Sequence, residues 1–97
     1  MDEENYVFVG HDQTVLATVP PLVYAIKNMD DDMFRRLLFS GLIDINAQID
    51  APGYPVDGFT ALHMAAYFSR KDYYDALIVA GIDPNIENAH GEIPIFE

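Results

Sequence analysis

Apolar and polar positions change rhythm at Pro20. Before it, Tyr6-Val7-Phe8-Val9 and Thr14-Val15-Leu16-Ala17-Thr18-Val19 are rich in β-branched and aromatic residues. They flank Gly10-His11-Asp12-Gln13, a turn-forming stretch, and so predict an N-terminal β-hairpin. An extended arm followed by one helical turn is the alternative. After Pro20-Pro21 the apolar residues recur at helical spacing: Leu22, Ala25, Ile26 and Met29, then Met33, Phe34, Leu37 and Leu38. Proline is tolerated in the first turn, where its missing donor is not needed. Asp30-Asp31-Asp32 supplies a cap and negative charge for the start of the second helix, and Gly41 its left-handed end.

The same plan returns further on. Thr60 leads into Ala61-Leu62-His63-Met64-Ala65-Ala66, with alanines that permit close helix packing. Ser69, three residues before Asp72, resembles a capping box for the next helix. Its expected buried stripe is Tyr73, Tyr74, Leu77 and Ile78, and Gly81 closes it. Asp83-Pro84-Asn85 starts a turn. Gly58-Phe59-Thr60-Ala61-Leu62 then recurs as Gly91-Glu92-Ile93-Pro94-Ile95, 33 residues on. A fixed period of this size is the mark of stacked units that bury their faces on one another.

Asp57-Gly58-Phe59-Thr60-Ala61-Leu62-His63-Met64-Ala65-Ala66, followed by Ala76-Leu77-Ile78-Val79-Ala80-Gly81-Ile82-Asp83-Pro84-Asn85, resembles an ankyrin repeat, whose pattern runs roughly D-x-x-G-x-T-P-L-H-x-A-A, two helices, then G-A-D-x-N. Leu22, Ala25, Leu37, Leu38, Gly41, Asp44 and Asn46 match it more weakly in a first unit, where Val23 replaces the histidine. Ala61 stands where proline is usual, and Ser69-Arg70 where Gly-His is usual, so the turn between those helices must be reached another way. The resemblance covers about three quarters of the chain. It implies a mainly α solenoid: a cap at 1–19, a first repeat at 20–46, a finger loop at 47–57, a second repeat at 58–90, and at 91–97 a partial third repeat that opens a helix with Ile93, Ile95 and Phe96. The whole is one domain. It also implies that His63 bonds backbone between repeats.

One connection breaks the register. Asn46 to Gly58 is twelve positions against six from Asn85 to Gly91, six more. The added loop holds Pro52-Gly53, a turn signal, and projects Tyr54. It is either a functional finger or a tolerated insertion, since lengthening a surface loop costs little. By resemblance, the positions that meet a partner are Val56, Asp57, Phe59, Tyr67 and Phe68, with Tyr54 just before them. Lys27 and Asn28 are their counterparts in the first unit, and Ala89, His90 and Glu92 in the third. Tyr54, Phe59, Tyr67 and Phe68 would place four aromatics on one face, and aromatics are favoured interface anchors.

Charge narrows the classes of partner. Sixteen acids against five bases give a formal charge of −11, which repels phosphate backbones and either serves solubility alone or favours encounter with basic proteins. No cysteine is present, so disulfides and thiolate metal sites are excluded. No apolar run is long enough to span a membrane, and Met1-Asp2-Glu3-Glu4 is acidic where a signal peptide is basic. The expectation is a soluble, cytoplasmic protein. His11 and His90 read as turn residues, and Ser40 and Ser69 lie at helix ends outside any nucleophile motif. Asp30-Asp31-Asp32 lacks the alternation, glycine and distal glutamate of a calcium loop. No catalytic, metal or cofactor residue is expected. The function expected is non-enzymatic binding of a protein through the concave face and finger loop. The alternative is a small acidic inhibitor or immunity-type protein that blocks a basic active site or nucleic-acid channel. Two full units fall short of the roughly three that stacked repeats need, so self-association through an uncapped C-terminal end is a further expectation.

Overall fold

A computed structural model describes residues 5–10 and 15–96. Strands β1 (Tyr6–Val9) and β2 (Val15–Val19) form an antiparallel hairpin. Most of its expected turn, and Thr14, lie outside the described residues. Four helices come after the hairpin: α1 (Pro21–Lys27), α2 (Asp31–Ser40), α3 (Ala61–Tyr67) and α4 (Lys71–Val79). The protein is therefore mainly helical, with two helix pairs, α1–α2 and α3–α4, joined by packing of α1 on α3.

The local signals act where the sequence places them. Pro21 occupies the first turn of α1. The Asp30 carboxylate accepts from the Met33 N–H, and Gly41 ends α2 at φ 70°. Thr60 caps α3 by accepting from the His63 N–H. Between helices, each pair makes the same turn: Met29 and Ser69 take up φ of 55° and 57°. There the Asp30 and Arg70 N–H groups reach back to the carbonyls of Ala25 and Ala65. The glycine usual at this turn is absent, yet the left-handed geometry is kept, at a cost of about 1 kcal/mol per residue.

Four expectations are corrected. Ser69 does not cap α4: the cap position is Arg70, without a side-chain cap bond, because Ser69 is used in the left-handed turn. Asp72 is instead held by Arg70, through bonds of 3.0 and 2.7 Å. Met29 lies beyond the end of α1 and is exposed, its sulfur accepting from Arg70. Ile78 is exposed, because α4 has one inward stripe and Tyr73 and Leu77 fill it. Finally, residues 92–96 form neither helix nor strand. The buried Pro94 carbonyl accepts from the Tyr74 hydroxyl, and Phe96 packs on the Tyr74 ring.

The core runs through both pairs. Ile26, Leu62 and Leu77 are fully buried in it, so truncating any of them to alanine costs about 2–5 kcal/mol. On the outer side, Phe34 and Tyr73 meet at 4.4 Å between ring centroids, and the Tyr73 hydroxyl donates to Asp31. Arg70 lies 4.2 Å over the same ring. Burial first, and then the bond to Asp31, push the Tyr73 phenol up to about 12.

On the other side the loops are joined in series. Thr18 exchanges two backbone hydrogen bonds with Asp50, and Ile49 bonds Phe59 and Gly58. The Ala89 N–H donates to the Asp57 carbonyl, and the Gln48 amide bridges the carbonyls of Gly58 and Glu87 at 2.8 and 2.9 Å. Glycine at 58 is required twice over. Its φ is 79°, and a β-carbon there would lie 2.4 Å from the Ala89 nitrogen.

Gly58→Ala is therefore expected to cost about 3 kcal/mol in urea unfolding. Gly53→Ala, where nothing lies within 4 Å, should cost only the backbone penalty of about 1 kcal/mol. Equal losses at the two glycines would show that the close approach to Ala89 is unimportant.

Candidate functional site

The long loop and the hairpin converge on one groove of about 370 Å³. Phe8, Leu16 and Val19 line it from the hairpin; Ile49, Ala51, Tyr54 and Val56 from the loop; and Met64, Tyr67 and Phe68 from α3 and its end. Lys27, at the end of α1, is the one charged side chain in this lining. The loop is held in shape from within. Asp57 accepts the Ala51 N–H at 2.9 Å, and the Tyr54 N–H donates to the Ala51 carbonyl. Tyr54 is thereby carried outward, with 45% of its surface exposed; Tyr67 is 62% and Phe68 37% exposed. Their apolar rings remain open to water at the rim of an apolar groove, which is an arrangement suited to docking apolar side chains.

A second groove, about 660 Å³, lies on the C-terminal side. Phe59, His63, Tyr67, Asn88, Glu92 and the segment Ile93-Pro94-Ile95 line it. Tyr67 belongs to both grooves.

Of the expected contact residues, Tyr54, Val56, Tyr67 and Phe68 come together around the first groove. Phe59 does not join them on the open face: it is buried, packed at 5.3 Å on the His63 ring and at 5.8 Å edge-on to Tyr67. Its carbonyl accepts from the Ile49 N–H and its N–H donates to the Val56 carbonyl, and its ring borders the second groove. Asp57 is committed to closing the loop. His90 stands apart at the tip of the last turn, its N–H donating to the buried Asn88 side chain. The contributions of Phe8 and Leu16 were not anticipated from sequence. They lie in a hairpin read as an end cap, and only the folded chain brings that hairpin beside the loop.

His63 connects the second helix pair to the segment after the last turn. Its Nε2 bonds the Glu92 carbonyl at 2.8 Å, so Nε2 carries the proton and donates. Nδ1 is then free to accept from the Thr60 N–H at 3.1 Å. This is the backbone bond between repeats that the resemblance implied. Burial holds the imidazole below its usual pKa, partly opposed by the Glu92 carbonyl bond and the Glu92 charge. A proton on Nδ1 would forfeit the bond from the Thr60 N–H.

Among the described residues, no group of three or more histidines or carboxylates is placed to hold a metal ion, and no helix is long and apolar enough to cross a membrane.

Comparison with known proteins places this geometry. The family model for the ankyrin repeat matches residues 57–89. A regulatory protein of Arabidopsis thaliana, NPR6, is 34% identical over 74 residues, which is 76% of this chain and 15% of that protein. The human 2-5A-dependent ribonuclease is 32% identical over 75 residues, or 77% of this chain and 9% of the ribonuclease. Among solved structures, the ankyrin repeat domain of Bcl-3, a member of the IkappaB protein family, superposes with a TM-score of 0.67 at 29% identity. That match covers 78% of this chain and 30% of the Bcl-3 chain. The chain thus spans a small fraction of each curated relative.

The His63 geometry sets a pH dependence. The unfolded chain protonates His63 near 6.5, whereas the folded chain resists until lower pH. Stability from the neutral ring is complete above 6.5 and is lost as pH falls below it, by at most about 1.4 kcal/mol per pH unit. Urea unfolding between pH 7 and pH 5 should show this loss, and His63→Gln should remove it. An unchanged pH dependence in that variant would assign the loss to carboxylates instead.

Proposed function

We propose that this chain, which belongs to the ankyrin-repeat family, binds a partner protein through the groove between its N-terminal hairpin, its long loop and the end of α3. Ankyrin repeats are generally protein–protein interaction modules, and their fold is typically a non-enzymatic scaffold. The observation that carries this reading is the cluster of exposed Tyr54, Tyr67 and Phe68 on an apolar groove. Rigid aromatic rings gain contact area at small entropic cost, so a few of them dominate binding. The loop that presents Tyr54 is internally hydrogen-bonded, so little ordering remains to be done on binding.

Tyr54→Ala combined with Tyr67→Ala is expected to weaken binding of a partner captured by the native chain by about 2 kcal/mol, roughly thirtyfold. Titration calorimetry should register that loss. Val79→Ala, at an exposed site outside both grooves, should leave affinity unchanged. If both variants bind as the native chain does, the groove is not the site.

A second reading is supported by charge. With a net charge of −11, the chain suits a basic target surface, as an inhibitor that covers an active site or nucleic-acid channel would. On this reading, raising salt from about 50 to about 500 mM should slow association by about tenfold or more. An association rate that does not respond to salt leaves the aromatic groove alone as the basis of binding.

A further inference from the structure

The hairpin has a free edge as well as a groove-facing side. Val7 of β1 stands opposite Thr18 of β2. Thr18 turns both of its backbone groups away from β1: its N–H donates to the Asp50 carbonyl at 2.8 Å, and its carbonyl accepts from the Asp50 N–H at 3.0 Å. In an antiparallel pair the N–H and C=O of one residue point to the same side, and opposite residues either face each other or both face away. Since Thr18 faces away, Val7 must also face away, with its donor and acceptor directed to the outer edge. Among the described residues nothing pairs with that edge. Asp50 already shows at Thr18 what the mirror position at Val7 offers: one residue held by two backbone bonds.

β1 is short and its register shifts between Phe8 and Val9, which confines an added strand to the stretch around Val7, but two other guards are missing. Neither strand contains lysine or proline, residues that normally prevent strand addition. Tyr6 is anchored by stacking on Tyr24, with 3.8 Å between centroids, so the strand is fixed before any partner arrives. Val7 is 55% exposed on the face opposite to that stack. Charge selects the partner. The chain carries a formal charge of −11, which favours a basic segment and opposes a second copy of the same charge.

We infer that β1 is a second binding site, distinct from the aromatic groove, which accepts an extended segment of another protein that alternates basic and apolar residues, added as a strand paired at Val7. Backbone bonds supply the attachment, Val7 offers apolar contact, and the net negative charge of the chain favours lysine or arginine.

The test uses the intact chain and a capped, fluorescent peptide of alternating valine and lysine, with anisotropy as the readout. Saturable binding is expected, about tenfold weaker for the valine–glutamate counterpart at low salt. N-methylation of every second peptide residue should abolish binding in one phase and leave it intact in the other, because alternate N–H groups of an added strand face the edge. Val7→Pro, which removes an N–H that the hairpin itself does not use, should weaken binding about tenfold. Val7→Thr should stay within about twofold. Equal effects of the two methylation phases would overturn the inference without involving any variant of the protein. So would a dimer of the chain alone that Val7→Pro dissolves, since the edge would then belong to a second copy.

Discussion

Much of this structure depends on a single close approach: the backbone at Gly58 lies against Asn88 and Ala89, with no room for a β-carbon. Two helix pairs make a small core, and the loops at their ends would carry unpaired backbone groups if each stood alone. The approach at Gly58 lets the Ala89 N–H reach the Asp57 carbonyl and brings Glu87 within reach of Gln48. The same joining continues through Ile49 and Asp50 to Thr18, so that the hairpin, the long loop and the final turn share one hydrogen-bonded edge. Asn46 adds a further strut by accepting the Asp83 N–H at 2.8 Å.

That edge explains why the aromatic groove can exist. An apolar groove open to water tends to collapse unless its walls are held apart by something other than apolar contact. Here the walls are set by polar bonds: Asp57 on Ala51 within the loop, and Thr18 on Asp50 between loop and hairpin. The rings at the rim therefore remain available. On the opposite side the pairs are tied by Tyr73, Arg70 and Asp31. Arg70 and Asp31 are partly exposed, so their ion pair acts more by fixing how the pairs align than by adding much stability.

The helical repeat was legible because its signals are local. Asp30, Gly41, Thr60 and Pro21 each act within one turn of their own position, and each behaves as its side chain predicts. The hairpin was legible for the same reason. Errors arose where one residue had two possible uses. Ser69 can cap a helix or enter a left-handed turn; the turn won because the chain must reverse there. Met29 and Ile78 fit a helical stripe by spacing, but α1 ends before the first and the neighbours of the second already fill the interface.

Taken alone, the sequence determined the two helix pairs, the signals at Asp30 and Gly41 that start and end α2, and the presence of a loop out of register, because each rests on spacing and side-chain chemistry along the chain; the structural role of His63 came only from the family resemblance. Tertiary structure decided which aromatics face outward. Tyr54 and Phe59 are five positions apart, within the loop and just after it, yet the bonds from the Ile49 N–H to the Phe59 carbonyl and from the Ala51 N–H to Asp57 leave one exposed and the other buried. It also decided that Phe8 and Leu16 would line one groove with Tyr67 and Phe68, and that the last segment would be held on Tyr74. These are contacts between residues far apart in sequence. No periodicity encodes them; they are fixed only when the loops find one another's backbone.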